Sequence, residues 1–151
     1  MTPLHLAQVN LAWTRASLDH PSMLGFVEQL ERINALAERS DGFIWRLQDE
    51  QGDATALRAF DDERIIVNLS LWRDVAALHR FVYSGDHLAV LRRKREWMER
   101  PNGPHLALWW VPAGHRPTLD EACTALRRLA SDGPGPQAFT LARPFAPALP
   151  A

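Results

Sequence analysis

Several residue types that would mark particular classes of protein are scarce in this sequence. Cys123 is the single cysteine, so no intrachain disulfide can form, and a reducing, cytoplasmic location is expected. No apolar run approaches the roughly 18 consecutive residues that a membrane-spanning helix needs. The first residues lack the basic and then apolar pattern of a secretory signal. The sequence therefore predicts a cytoplasmic protein without a membrane span.

An excess of charge of one sign is also missing. The chain has 17 basic and 18 acidic residues, which give a formal net charge of −1 at pH 7. Proteins that bind nucleic acid usually carry a clear positive excess on one domain or face. The one basic run, at residues 92–95, is typical of a solvated helix face. We therefore expect no nucleic-acid partner.

The motifs of common metal and nucleotide sites are missing too. The sequence contains no HxH, HExxH or CxxC motif and no carboxylate pattern typical of a metal site, so we predict no zinc or dinuclear metal site. It also lacks a GxGxxG motif and a P-loop. Cys123 lies in a predicted helix without a local histidine, which argues against a thiol nucleophile.

Alternating or β-branched apolar runs predict four strands, at residues 5–13, 43–47, from 65 onward, and 105–111. A polar, glycine-containing turn follows the second of these runs. We therefore expect strands two and three to form a hairpin, with the acidic triplet of residues 61–63 in its loop.

Helical spacing of apolar residues predicts two helical regions between these strands. The second region has Asp74 as its cap, is interrupted at Gly85, and resumes with Asp86 as a cap to reach Met98. The first region should end at Gly42, in the usual C-cap position. It carries an apolar stripe at four positions: Phe26, Leu30, Ile33 and Ala37.

The remaining sequence adds a helix and an extension. The pair Thr118 and Glu121 forms a capping box, and the helix that it begins should end near Gly133. A short strand from Phe139 passes into a proline-rich tail, so residues 139–151 form a C-terminal extension. The order of elements is βαββαβ with one extra helix, which predicts a ferredoxin-like α+β domain. The 151 residues suit a single domain spanning residues 1–151.

The strands of this sheet present two chemically different faces. We expect the chain's own helices to cover one face, and water or a partner to cover the other. Counting by twos, one set of strand residues is apolar, while the opposite set mixes aliphatic residues with amides, hydroxyls and tryptophan. A mixed face is typical of a largely apolar pocket with a few polar groups. We predict a small-molecule pocket in each subunit of a homodimer. Because one β-bulge would invert the parity, the sequence does not decide which face of the sheet lines this pocket.

Aromatic residues and polar strand residues are the candidates for binding a substrate. The chain has six tryptophans, which either pack in the core or form walls for a flat polycyclic ligand, a polyene or a porphyrin. The residues that we select as substrate-binding are Asn10, Trp45, Ser70, Trp72, Trp97 and Trp109.

A second group of candidates surrounds the predicted helix break. Tyr83, the only tyrosine, lies near His79 and His87, and His87 shares a helical stripe with residues 90, 94 and 97. The beginning of a helix offers free N–H groups that favour an anion nearby. His87 is either a satisfied, half-buried histidine or a group for proton transfer, ligand binding or haem ligation.

A resemblance to known proteins lies in the segment Asn68–Arg73, in the residues around His87 and Trp97, and in residues 109–115, 133–134, 139 and 144–145. These parts of the sequence resemble a bacterial family related to antibiotic-biosynthesis monooxygenases. The resemblance covers nearly the whole chain and implies a dimeric α/β barrel. Residues 70–74 are also similar to spheroidene monooxygenase, a haem enzyme that acts on carotenoids. Within this superfamily some members oxygenate polycyclic phenols without a cofactor, some cyclise polyketides and others bind haem.

The leading hypothesis is a monooxygenase-type oxidoreductase acting on a hydrophobic aromatic or polyene substrate. Without a cofactor, His87 or Tyr83 takes a proton from a phenolic substrate, and Asn68 or Arg92 stabilises the anion. With haem, His87 is the axial ligand, and Arg92 or Arg46 meets a propionate. Three alternatives stay open: a polyketide-type cyclase or isomerase, a non-catalytic ligand-binding protein, and a protein whose purpose is dimerisation, with residues 144–147 as an arm around the partner.

Overall fold

Four strands form one antiparallel sheet in a computed structural model of the protein, which describes residues 3–48, 65–101 and 103–147. Strand β1 (Leu4–Trp13) lies between β3 (Ile65–Trp72) and β4 (Leu106–Pro112), and β2 (Phe43–Arg46) pairs with the other side of β3. The order β2-β3-β1-β4 is that of a ferredoxin-like sheet, which confirms the predicted α+β class. Strands β2 and β3 pair antiparallel, as predicted, while the acidic triplet lies outside the described residues.

Helix α1 (Leu24–Glu38) ends earlier than predicted. Its C-cap is Arg39, so the prediction that Gly42 closes the helix was wrong. Gly42 instead lies in the turn into β2 with φ 87°, where a Cβ atom would clash with the Cβ of Ala77. The glycine therefore serves the close packing of this turn against the next helix, and not the end of α1.

The second helical region breaks twice, into α2 (Val75–Val82), α3 (Gly85–Arg92) and α4 (Lys94–Trp97). The Asp74 side chain accepts a hydrogen bond from the backbone N–H of Ala77 at 2.8 Å, which confirms it as the cap of α2. The break at Gly85 is also confirmed. Ser84 rather than Asp86 caps α3, because its extended backbone directs Oγ to the backbone N–H of His87 at 3.4 Å.

Helix α5 (Leu119–Asp132) has the predicted ends. Thr118 Oγ1 accepts a hydrogen bond from the Glu121 backbone N–H at 3.1 Å, and Gly133 closes the helix with φ 74°. The Glu121 carboxylate pairs with His115 Nε2 at 2.6 Å instead of completing the capping box. In the described part of the chain, no helix has the length and apolar character to cross a membrane.

Helices of the chain itself pack on both faces of the sheet. Helices α1–α4 lie over the mixed face, and α5 packs on the apolar face, where Ala122, Leu126 and Leu129 join a cluster with Val9 and Leu69. The expectation that the chain's own helices cover only one face was therefore wrong. The reason is the extra helix, which follows β4 and returns across the face that a bare βαββαβ unit leaves open.

The C-terminal extension packs on the same chain. The backbone N–H and C=O of Phe139 bond to those of Leu108 in β4, at 2.9 and 2.8 Å, in place of the predicted strand. Trp110 Nε1 donates to the carbonyl oxygen of Phe145 at 2.9 Å, and the Phe139 and Phe145 rings lie 6.1 Å apart. These contacts hold the segment against β4 of its own chain, contrary to the idea of an arm that wraps a partner.

Candidate functional site

A cavity of about 360 Å³ lies between the mixed face of the sheet and helices α1–α4. The pocket prediction is thus supported, and the open question of parity is resolved in favour of the mixed face. The volume falls in the usual range of about 300–1,000 Å³ for small-molecule sites. The walls are mainly apolar and aromatic, and the polar groups form a small set on the sheet and on α1 and α3.

Four polar side chains form the floor of the cavity on the two central strands. Register places Gln8 of β1 opposite Ser70 of β3, and Asn10 opposite Asn68, so that the four form a rectangle on one face. Cross-strand neighbours of this kind have side chains close enough to interact. Gln8 was not among the predicted site residues, although it shares the parity of Asn10.

Hydrogen bonds orient this floor. Trp72 Nε1 donates to Ser70 Oγ at 2.9 Å. In the orientation that satisfies both ends of its amide, Gln8 donates to Ser70 Oγ at 2.9 Å and to Asn68 Oδ1 at 3.1 Å. The Ser70 hydroxyl then accepts twice, which leaves its proton to donate, and the Asn68 NH₂ group has no partner among the described residues. The floor therefore offers donors to a ligand, as the stabilisation of an oxyanion requires.

His87 lines the cavity from the first turn of α3. Its Nδ1 lies 3.0 Å from the carbonyl oxygen of Val82, which can only accept, so Nδ1 carries the proton. Burial lowers the pKa of His87 below its usual value, and the hydrogen bond to Val82 partly opposes this shift. The imidazole is therefore neutral near pH 7, with the lone pair on Nε2, which has no hydrogen bond among the described residues. A neutral imidazole in this tautomer can act as a proton acceptor or a ligand.

Aromatic rings form much of the wall. Trp72 stacks on Phe81 with centroids 5.3 Å apart and meets Phe43 edge-on at 5.4 Å. The rings of Phe26 on α1 and Trp97 on α4 pack with their centroids 5.7 Å apart. All five rings line the cavity, which suits a flat aromatic or conjugated ligand.

The charged lining is cationic. Arg46 and Lys94 line the cavity, whereas no aspartate or glutamate in the described ranges does so. Arg46 Nε donates to Glu38 Oε1 at 2.8 Å, while Lys94 has no ion pair with any described residue. The predicted stripe of His87, Val90, Lys94 and Trp97 lines the cavity as a whole. This lining favours a ligand with an anionic or electron-rich group.

Seven of the predicted site residues line this cavity, and four do not. Tyr83 follows α2 with 55% of its surface exposed, its ring 4.4 Å from that of His79. Arg92 is exposed at the end of α3. Trp109 lies on the apolar face because it pairs with Ala7. Trp45 lies on that face too, whereas the β-bulge between Phe43 and Trp45 leaves Phe43, with Arg46, facing the cavity. The seven residues brought together are Asn10, Arg46, Asn68, Ser70, Trp72, His87 and Trp97.

Polar residues of α1 were not predicted as site residues. Gln29 and Asn34 line the cavity on the side opposite the sheet. Asn34 lies between Ile33 and Ala37, inside the apolar stripe that identified the helix. An amide in such a stripe was the available signal for a functional residue, because apolar side chains would pack better at a purely structural position.

The comparisons with known proteins concern family and fold. A family model described as "Domain of unknown function (DUF3291)" matches residues 5–150. A search of curated proteins finds no match. Protein SO0527 from Shewanella oneidensis is similar at 11% identity and a TM-score of 0.51, with 72% of this chain and 90% of that chain covered.

Two other solved structures are similar at the same level. A conserved protein from Methanosarcina mazei has 12% identity and a TM-score of 0.50, with 73% and 93% of the chains covered. SnoaB from Streptomyces nogalater, a cofactor-independent oxygenase, has 19% identity and a TM-score of 0.46, with 76% and 96% covered. Such likenesses concern the fold alone. The proteins from Shewanella oneidensis and Methanosarcina mazei share the α+β fold described above.

Proposed function

Because this chain belongs to the DUF3291 family, a domain of unknown function, we propose an activity from its cavity: monooxygenase-type oxidation of a hydrophobic aromatic or polyene substrate with an ionisable hydroxyl group. One observation carries the proposal. A neutral His87, with its Nδ1 proton held by the Val82 carbonyl, lines the same aromatic cavity as a floor of hydrogen-bond donors. A base and a donor set are the two parts needed to make and hold an oxyanion.

In the cofactor-free version the substrate supplies all the electrons. His87 Nε2 takes the hydroxyl proton, and the Asn68 amide and Ser70 hydroxyl hydrogen-bond the resulting anion. Dioxygen then forms a C–O bond at an electron-rich ring carbon, the O–O bond breaks, and the carbon loses its hydrogen. A phenol is converted to a quinone, one oxygen atom is incorporated and the other leaves as water. The lack of acidic residues in the described lining suits an anionic intermediate.

Haem is the cofactor that the resemblance allows, and the residues fit it only in part. His87 Nε2 could bind the iron, with Nδ1 oriented by a backbone carbonyl as is usual for histidine ligands. The predicted propionate partners fit less well. Arg92 lies outside the cavity lining, and Arg46 is paired with Glu38. The cofactor-free version is therefore the one we favour.

Two other activities use the same cavity. A cyclase or isomerase needs the same proton-transfer groups but no oxygen, and a binding protein needs no base. The lowered pKa of His87 and its place in the lining support catalysis over binding alone. Oxygen uptake separates oxidation from cyclisation. We also propose that the protein acts in the cytoplasm and as a homodimer.

The test uses 1-naphthol as a simple bicyclic phenol. We expect binding to quench the fluorescence of Trp72 and Trp97, and turnover to consume one O₂ for each naphthoquinone formed. Without its base, His87→Ala should lower oxygen uptake by about 100-fold or more. His79→Ala, at an exposed position on α2, is the matched control and should keep full activity.

Three results would contradict the proposal in different ways. Full oxygen uptake by His87→Ala would remove the assigned base. Binding without uptake would favour a cyclase or a binding protein. A Soret band on addition of haem that is lost in His87→Ala would replace the cofactor-free version with the haem version.

A further inference from the structure

Asn34 has a position that packing alone does not explain. It lies on α1 with only 8% of its surface exposed, and it lines the cavity. Its side chain makes no hydrogen bond with any residue in the described part of the chain. The residue is buried as a whole, but its amide atoms are not among the fully buried atoms without a partner, so the amide is open to a molecule in the cavity.

Structural roles for this amide are not supported by its surroundings. Leu30, Ile33 and Ala37 surround it on the same helix and line the same cavity. Asparagine is a poorer helix former than leucine or alanine, so an apolar residue would suit both the helix and the wall. Gln29, the other amide of this wall, accepts a hydrogen bond from Arg32 at 3.2 Å. Asn34 has no such bond to a described residue. The unused hydrogen bonds of Asn34 are therefore available to a molecule in the cavity.

The chemistry of that molecule follows from the rest of the lining. The Ser70 hydroxyl, the Asn68 amide nitrogen and Lys94 are all donors, and no carboxylate of the described residues lines the cavity. The ligand must then bring mainly acceptors. Ser70 and Asn68 lie on the sheet, whereas Asn34 lies on the helical side. A ligand that bonds to both walls is therefore expected to carry two acceptor groups.

We propose that Asn34 is a specificity-determining residue, which donates a hydrogen bond from its NH₂ group to a carbonyl oxygen of the substrate. This carbonyl is distinct from the hydroxyl that His87 deprotonates, so the substrate class is a polycyclic hydroxy ketone. The inference rests on the proposed function, because it assumes that a phenolic ligand occupies the cavity.

Binding of two matched probes tests the inference. 2-Naphthol and 6-acetyl-2-naphthol differ by one carbonyl group, and calorimetry gives the affinity of each. We expect the acetyl compound to bind the natural protein about tenfold more tightly, as one well-made hydrogen bond allows. Asn34→Leu should bind the two probes equally. Ala35→Leu places the same side chain at the neighbouring exposed position and should keep the preference.

His87→Ala separates this inference from the proposed function. It should weaken the binding of both probes and keep the preference for the acetyl compound. If Asn34→Leu also keeps the preference, the inference is overturned and the proposed function is untouched. If the natural protein does not distinguish the probes, the inference likewise fails. A protein that binds neither probe contradicts both proposals.

Thermal unfolding without a ligand provides a second, independent readout. Removing an unpartnered amide should leave the Tm of Asn34→Leu unchanged or raise it by up to about 3 °C, part of which comes from helix propensity. Asn34→Asp, which has a similar propensity and volume, should lose the preference for the acetyl probe because it has no donor. If both variants lower Tm by more than about 5 °C, the amide has a structural role and the inference is wrong.

Discussion

Burial of the His87 imidazole makes the free energy of unfolding depend on pH. The pKa of His87 is lowered in the folded protein, chiefly by burial, below its usual value of 6.5. As the pH falls through about 6.5, the unfolded chain takes up a proton before the folded protein does. The contribution of neutral His87 is therefore complete above this pH and is lost as the pH falls towards the folded-state pKa.

We expect His87→Asn to weaken this pH dependence. The fall in Tm between pH 7.5 and pH 5.0 should be smaller than in the natural protein, because one buried group no longer has to become charged. The measurement is a series of thermal unfolding curves across that range. His79→Asn, at an exposed position on α2, should retain the slope of the natural protein. Equal slopes in all three proteins would show that the environment of His87 does not disfavour its charged form.

At the scale of elements, the C-terminal segment is expected to contribute to stability without entering the site chemistry. Phe145 is half-buried against Phe139, and its carbonyl oxygen accepts from Trp110 Nε1. Phe145→Ala removes the ring but keeps the backbone acceptor, so the free energy of unfolding should fall by about 1–2 kcal/mol. Truncation after residue 143 removes both contacts and should cost more.

Denaturant unfolding checks this prediction, with Arg143→Ala as an exposed control on the same segment. Molar mass measured on the same samples tests the rejected arm hypothesis. A truncated protein of normal stability but reduced molar mass would contradict the packing described here and restore the arm.

The elements that the sequence predicted correctly are those determined by local signals. Strand β1, the break at Gly85, the Asp74 cap and the whole of α5 follow from alternation, helix breakers and capping residues that lie within a few positions of one another. The prediction for the end of α1 was wrong because a glycine at position 42 is required by the close packing against Ala77, and not by the helix end. A glycine at a close approach looks the same in sequence as a glycine at a helix end.

The candidate site shows the same division. Parity placed Asn10, Asn68, Ser70 and Trp72 on one face correctly, and helical spacing did so for His87 and Trp97. Trp45 was chosen for its aromatic ring, although its parity belongs to the apolar face, where the structure places it. The residue that the bulge moves is Phe43, which faces the cavity, and a bulge has no reliable signal in a single sequence. Asn34 was missed because it comes from α1, whose packing over the floor is a property of the fold rather than of any local pattern.

At the scale of the whole molecule, α5 restricts how two copies can associate. It packs on the apolar face, so a partner cannot complete the sheet over the part that α5 occupies. The remaining apolar surface of that face is a group of half-buried residues towards β2 and the adjoining strand ends: Trp13, Trp45, Leu47 and Ile65. A homodimer stays a prediction, and this group is the surface on which we expect it to form.

A charge in this group should therefore dissociate the dimer. Trp45→Glu would place a carboxylate among the apolar residues of the interface, which is unfavourable even with Arg116 beside it, so we expect a monomer at concentrations where the natural protein is dimeric. Leu24→Glu, at a position with 60% of its surface exposed on α1, should leave the molar mass unchanged. Light scattering over a dilution series decides the matter. If the natural protein is monomeric at all concentrations, the predicted homodimer is wrong. If the Trp45→Glu variant is still a dimer, only this surface is excluded, and the helical side, where the cavity lies, becomes the next candidate for the interface.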